Sequence, residues 1–171
     1  MNIQEIRDMY NYNYWANHRL LNAAAKVTPE QFVAPSAHSF SSLQATLVHT
    51  LDVELSWRLV MQGQGFPPSM QAADFPNVDV LQERWQAEEQ AMWAYIDSLH
   101  DEDLNGILRY HGDAGAVRER LLWQILFHVV NHGMQHRSEA ANLLTIYGQS
   151  PGEIDFTLFL HERAAQQKQP G

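Results

Sequence analysis

The sequence contains no cysteine among its 171 residues. This absence excludes disulfide bonds, iron–sulfur clusters, thiolate zinc sites and a protein thiol nucleophile. Any thiol that takes part in chemistry must therefore come from outside the chain. A chain of this length can bury a full hydrophobic core without cross-links. A bound metal would then serve function rather than folding.

Long apolar runs and basic clusters are also missing. No stretch approaches about 20 consecutive apolar residues, and the segment MNIQEIRDMYNYNYW lacks the features of a signal peptide. We therefore expect a cytoplasmic protein without a membrane partner. The net charge is -9, from 11 Lys and Arg against 20 Asp and Glu, and no window gathers the basic residues that phosphate backbones require. Nucleic acid is not an expected partner.

The apolar residues follow the three-to-four-residue spacing of amphipathic helices. Capping residues and glycines divide this pattern into four long helices. The first ends near Lys26, the second runs from the cap Ser41 to Gly63, the third opens at Asp79 and fades near Leu99, and the fourth runs from Ala116 to Tyr147.

Shorter segments connect these helices. Thr28 begins a capping box for a short helix, residues 64–77 form a long crossing loop, residues 107–111 form a short extended piece, and a short helix lies near residues 156–164. No strand-length alternation is otherwise evident. The pattern predicts an all-α, antiparallel four-helix bundle in one domain, residues 1–165, with a flexible tail at 166–171.

Three histidines lie in register on the fourth long helix. His128, His132 and His136 follow each other at four-residue steps, on the stripe that also carries Leu121 and Ile125. A bundle helix buries such a stripe, so the imidazoles should face the interior or a pocket. A single buried histidine is usually a hydrogen-bonded core residue, but three in register need separate polar partners or a shared cation.

This spacing indicates a metal site. Two histidines four residues apart present two ring nitrogens on one helical face, as in zinc-binding helices. All three cannot bind one ion, because eight residues of helix rise about 12 Å. One pair must therefore be joined by a ligand from another helix, and His49, in the middle of the second long helix, is the candidate. A ferritin-like di-iron site is excluded, because no Glu-x-x-His occurs.

Four segments together resemble the DinB family of the DinB/YfiT-like superfamily. They are YWANHRLLNAA, LVHTLDVELSW, LFHVVNHGMQHRSEAANLL and SPGEIDFTLFL, and the resemblance covers nearly the whole chain. It implies an up-down-down-up four-helix bundle, often dimeric, with a metal held by one histidine of the second helix and a pair on the last. The family's pair is the one followed by arginine, here Arg137. The implied metal ligands are His49, His132 and His136, with His128 at a less essential position.

The resemblance also implies chemistry. Characterised superfamily members join a low-molecular-weight thiol to an electrophile, or act as hydrolases and isomerases. A metal-dependent enzyme acting on a small molecule is therefore one hypothesis, and a non-catalytic metal- or ligand-binding stress protein is the other. Imidazole ligands suit one divalent transition metal, zinc or nickel first, with iron, cobalt and copper as alternatives. Three neutral imidazoles leave such an ion open coordination positions.

Two acidic residues are candidates for orienting the ligand rings. Asp52 follows His49 by about one turn, and Glu139 follows His136 in the same way. A solvated carboxylate is the equal alternative for each. Four residues of the first long helix are candidates for lining the pocket, with an aromatic core cluster as the equal alternative for the last two: Asn13, Asn17, Tyr14 and Trp15.

Aromatic side chains on the first and third long helices suggest assembly. They exceed what one small bundle is expected to hide, which favours a homodimer packed through helices. The alternative is that these rings fill the core. They are Tyr10, Tyr14, Trp15, Trp85 and Trp93.

Overall fold

The computed structural model describes residues 1–112 and 115–167. Its long helices confirm the all-α prediction. The predicted flexible tail spans residues 166–171, of which residues 168–171 lie outside the described residues. The single domain at residues 1–165 stays a prediction. The elements are α1 (Ile3–Ala24), α2 (Pro29–Val33), α3 (Leu43–Met61), α4 (Val78–Asp97), β1 (Ile107–His111), β2 (Val117–Leu121), α5 (Leu122–Ile146) and α6 (Phe156–Gln167).

Helix α5 is the central element of the bundle. It packs against α1 and α3, and α4 packs against the same two helices from the other side. Two hydrophobic clusters fill the two ends of the bundle: Leu47 and Leu144 belong to one, Tyr10 and Leu126 to the other. The level between them is polar on all four long helices. Its buried members are Asn13, Asn17, Asp52, Glu54, Glu88, His136 and Arg137.

Helix starts differ from the prediction at two caps. Helix α3 is capped by Ser42 rather than Ser41, because the Ser42 side chain accepts a hydrogen bond from the backbone N–H of Ala45. Helix α4 is capped by Asn77, two residues before the predicted Asp79, through the backbone N–H of Val80. In both cases the chain holds two candidate caps close together, and the extended one caps the helix. The capping box at Thr28 is confirmed.

The predicted start of the fourth long helix at Ala116 is wrong. Residues Val117–Leu121 form strand β2, which pairs with β1 in an antiparallel hairpin, Ile107 opposite Leu121 and His111 opposite Val117. A lone extended piece leaves backbone groups unpaired, and β2 supplies the partners. The helix therefore begins at Leu122, and the statement that strand-length segments are otherwise missing is also wrong.

The expectation of surplus aromatic surface fails for three of the five rings. Tyr10, Tyr14 and Trp85 are 0%, 3% and 2% exposed. Trp15 and Trp93 are half-buried. Tyr10, Tyr14 and Trp85 fill the core, as the alternative held, so the homodimer stays a prediction with less support. Among the described residues, no helix combines the length and apolarity needed to cross a membrane.

Candidate metal centre

The packing of α3 against α5 brings His49, His132 and His136 together. The Nε2 atom of His132 lies 3.3 Å from Nε2 of His49 and 3.2 Å from Nε2 of His136. One ligand atom from each residue lies within 4.8 Å of the others. His136 is buried, and the other two rings are half-buried. These are the three residues that the sequence pointed to, and metal binding by them stays a prediction.

Two of the three nitrogen–nitrogen separations fit a metal ion. Ligand nitrogens held about 2.0 to 2.1 Å from a tetrahedral zinc ion are about 3.3 Å from each other. The two short nitrogen–nitrogen distances, 3.3 and 3.2 Å, match that separation. The ligand atoms of all three residues lie within 4.8 Å of one another.

The protons also fit. Nδ1 of His136 faces a carboxylate, so in the neutral ring Nδ1 carries the proton and Nε2 keeps its lone pair. Nε2 of His132 carries at most one proton, which it can donate to Nε2 of either His49 or His136. The other of these two nitrogens then faces it without a hydrogen bond. Nδ1 of His132 is buried and has no hydrogen-bond partner within the described part of the chain. A shared cation would satisfy the converging lone pairs.

Glu139 contacts the buried ring of His136, and its role beside a metal stays a prediction. Its Oε2 lies 2.9 Å from Nδ1 of His136, and its Oε1 accepts a hydrogen bond of 2.6 Å from the hydroxyl of Ser39. Burial alone would raise the pKa of Glu139, but the hydrogen bonds from Ser39 and His136 outweigh it and lower that pKa. The carboxylate therefore stays charged and fixes the ring of His136.

Two residues next to the site were missed by sequence reasoning. Ser39 and Phe40 lie in the irregular segment before α3, and the Phe40 ring stacks on His49 with centroids 4.0 Å apart and 25° between planes. It also meets the ring of His136 edge-on at 5.3 Å. The available signal was a lone aromatic residue in a polar stretch just before the cap of the histidine-bearing helix.

Asp52 does not orient His49 as suggested. The hydrogen bond that the structure gives this buried carboxylate comes from the backbone N–H of Met70, at 3.1 Å. Asp52 therefore fastens the crossing loop to α3. Its charge is still close enough to act on His49, whose pKa it raises slightly against larger opposing effects.

His128 is separate from the group of three. Its ring centroid lies 5.8 Å from that of His132, and it contacts Trp57 edge-on at 5.5 Å. The residue is exposed, and partial desolvation lowers its pKa. His128 lies one turn before His132 on α5, and its lesser importance stays a prediction.

The surroundings of His132 and His49 favour the neutral form of both rings. Burial lowers the pKa of His132 to about 4, with a further contribution from the neighbouring rings of His136 and His49. Burial and the His136 ring also lower the pKa of His49. Neutral imidazole is the form that binds metals. At neutral pH these two rings therefore offer lone pairs rather than charge.

Two cavities flank the histidines. One, of about 490 Å³, lies between α3 and the crossing loop, with His49, Asp52 and Phe66 in its walls. The other, of about 410 Å³, lies between the hairpin and α5 and has His128 in its wall. The ring of Trp57 lines both cavities. The first cavity therefore reaches the group of three at His49, whereas the second reaches His128.

The polar level beside the centre is a buried hydrogen-bond network rather than a pocket lining. Arg137, next to His136, donates to the side-chain oxygens of Asn13 and Asn17. Asn13 in turn donates to Glu54, which also accepts a hydrogen bond of 2.6 Å from Tyr14. Burial raises the pKa of Glu54 to about 7, although both hydrogen bonds oppose the rise. The interpretation of Asn13 as a pocket residue is therefore wrong.

Comparisons with known proteins agree with this fold. The model of the DinB family matches residues 1–169. Protein DinB of Bacillus subtilis (strain 168) is 26% identical over 162 residues, which cover 89% of this chain and 91% of that protein. A DinB-like protein from Bacillus cereus ATCC 10987, solved by crystallography, superposes with a TM-score of 0.71 over 89% of this chain and 97% of that chain. Its 17% identity shows likeness of fold alone.

Proposed function

The chain belongs to the DinB family, and from this premise we propose that His49, His132 and His136 bind one divalent transition metal for chemistry on a small molecule. The observation that carries the proposal is the convergence of three Nε2 atoms at 3.2 and 3.3 Å. Zinc and nickel are the first candidates, and iron, cobalt and copper also suit imidazole ligands.

The chain's own residues define what the centre offers. Three neutral imidazoles add no negative charge and leave further coordination positions, unlike a closed structural site. When bound, the ion supplies Lewis-acid chemistry to a water molecule or to a low-molecular-weight thiol. Glu139 holds the buried ligand ring through Nδ1, and Phe40 covers the ring of His49.

The reaction that this arrangement supports best is transfer of a thiol to an electrophile, or hydrolysis. Because the chain has no cysteine, the thiol must be a small molecule, and the two cavities beside Trp57 are large enough to admit one. The second candidate function is metal or ligand binding without catalysis, in a stress protein that dimerises through its helices. Open coordination positions favour the enzyme, since a storage or structural site has no need of them.

Metal analysis of the purified protein tests the first step. We expect close to one equivalent of transition metal by mass spectrometry of the dissolved protein, and loss of most of it in His132→Ala. His128→Ala is the matched control, because it removes the same side chain one turn away on α5 and should keep the metal. Full retention of the metal in His132→Ala would refute the ligand assignment. Loss of the metal only in His128→Ala would mean that His132 and His136 are the wrong pair.

Activity tests the second step. Metal-loaded protein is assayed with model esters, and separately with a small thiol and an electrophile, using His49→Ala as the blank. A rate above the blank in either assay supports the enzyme. No rate above the blank, with metal still bound to the wild type, leaves the non-catalytic function.

A further inference from the structure

The cavity between the hairpin and α5 has an unusual lining. Its walls are formed by Trp57, Tyr110, Trp123, Phe127 and His128. Tyr110 and His128 both meet the ring of Trp57 edge-on, at 5.0 Å and 5.5 Å between centroids. Aromatic walls at these angles favour a flat, apolar ligand group.

One charged side chain joins this aromatic lining. Arg120, on β2, is the cationic residue of the cavity, and the described lining contains no Asp or Glu. Its Nη1 donates to the backbone oxygen of Glu119, and among the described residues no carboxylate lies within ion-pair distance of it. Arg109, on the paired strand, is instead bonded to Glu119. Arg120 is exposed, and what distinguishes it is its place in an aromatic lining without acidic residues, where a guanidinium can bind an anionic group.

The cavity lies next to the candidate metal centre, on the side of His128. His128 belongs to its wall, and the His128 ring centroid lies 5.8 Å from that of His132. Trp57 separates it from the second cavity, which His49 lines. A ligand of about 410 Å³ or less can therefore occupy this cavity in contact with His128.

We propose that this cavity binds a flat aromatic molecule carrying one anionic group, with the anion at Arg120 and the ring between the aromatic walls. A carboxylate, sulfonate or phosphate provides the acceptor oxygens that a guanidinium recognises. The assignment as the substrate of the centre rests on the proposed function. The binding itself does not rest on the proposed function, because none of the residues that line this cavity is one of the three proposed metal ligands.

Isothermal titration calorimetry with three matched probes tests this proposal. They are naphthalene-2-sulfonate, the neutral 2-naphthylmethanol and the cationic 2-naphthylmethylamine. In wild type we expect the sulfonate to bind at least about ten-fold more tightly than the neutral probe, as one charge-assisted hydrogen bond predicts. The amine should bind most weakly. Equal affinities for the three probes, or no measurable binding of the sulfonate, would overturn the proposal.

Two variants locate the site. Arg120→Gln should lower the sulfonate affinity about ten-fold and leave the neutral probe unchanged. Arg109→Gln is the control, since it removes the same charge from the neighbouring strand outside the cavity and should keep the preference. Phe127→Ala should weaken both probes, because it removes a wall and no charge. Equal losses in Arg120→Gln and Arg109→Gln, or no effect of Phe127→Ala, would show that the probes bind elsewhere.

The titrations are run on both metal-free and metal-loaded protein. If the wild type holds no metal but metal-free protein shows the Arg120-dependent preference, the proposed function fails and this inference stands. If the protein holds one metal but shows no such preference, this inference fails alone. Circular dichroism of each variant confirms that the helices are retained.

Discussion

Nδ1 of His136 lies 2.9 Å from Oε2 of Glu139, three residues further along the same helix. The pair is largely buried, with side chains 5% and 18% exposed. The contact assigns the Nδ1 proton to the ring and leaves Nε2 as the atom that faces His132. The Ser39 hydroxyl fixes the other carboxylate oxygen, so the orientation of this ring is set by α5 and by the segment before α3 together.

Glu139→Ala should therefore weaken metal binding. Loss of the carboxylate frees the ring of His136 to rotate and lowers its basicity, and partners of this kind change metal affinity by about 10- to 100-fold. Competition with a chromophoric chelator measures the affinity directly. Glu83→Ala, which removes an exposed carboxylate of α4, should leave it unchanged. Unchanged affinity in Glu139→Ala would mean that the contact does not orient a ligand.

The metal-free protein should lose stability as the pH is lowered from about 6.5 to about 4. The pKa of His132 is lowered from 6.5 to about 4 by burial, so in this window the unfolded chain takes up a proton that the folded chain refuses. Above that range the His132 ring is neutral in both the folded and the unfolded chain, so it contributes no pH dependence to the stability. Glu54, whose pKa is raised to about 7, acts in the opposite direction, so a comparison of variants is needed.

Urea denaturation of wild type and His132→Ala across this pH range makes that comparison. The stability of wild type relative to His132→Ala should fall as the pH decreases through the window, because only wild type carries the buried imidazole. His161→Ala, at an exposed position of α6, is the control and should follow wild type. A difference between wild type and His132→Ala that does not change with pH would contradict the depressed pKa.

Removal of the metal should leave the bundle folded. The two hydrophobic clusters lie on either side of the histidine level and contain none of the three proposed ligands. A chelator should therefore lower the melting temperature, as loss of any ligand of the folded state does, while the far-ultraviolet circular dichroism at 25 °C is retained. Loss of helical signal on chelation would instead make the metal a structural element.

The histidine group could be predicted from the sequence because its information is local. His132 and His136 share one face of one helix by spacing alone, and His49 lies in the middle of another helix. The contacts of Ser39 with Glu139 and of Phe40 with His49 could not be predicted. Both residues lie in an irregular segment whose path depends on the assembled bundle. Strand β2 was missed for a related reason, since its pairing with β1 is a tertiary contact.

The polar level was missed because its members look unrelated in the sequence. Asn13, Glu54 and Arg137 belong to three different helices and become one network only when those helices pack. In isolation each residue suggests a solvated position. The neighbouring Gly133 gave no signal either, since a glycine within a helix normally indicates a weak point rather than a contact.

Gly133→Ala should destabilise the protein, against the usual effect of this substitution in a helix. A Cβ at residue 133 would lie 2.7 Å from Nη1 of Arg137 and 3.3 Å from Oδ1 of Asn13. The guanidinium cannot simply move aside, because the Arg137 side chain is 1% exposed and is held by Asn13, Asn17 and the carbonyl of Val130. Crowding of this kind costs about 1 to 3 kcal/mol.

Helix propensity works in the other direction, since alanine is favoured over glycine by about 1 kcal/mol in a helix interior. The free energy of unfolding, measured by urea denaturation at pH 7, should therefore fall by up to about 2 kcal/mol once this gain is subtracted. Asn131→Ala, at an exposed position two residues earlier on α5, isolates the propensity effect and should stabilise slightly. A Gly133→Ala variant as stable as Asn131→Ala would mean that the buried guanidinium can leave the network without cost, and that the network does not fix α5 against α1.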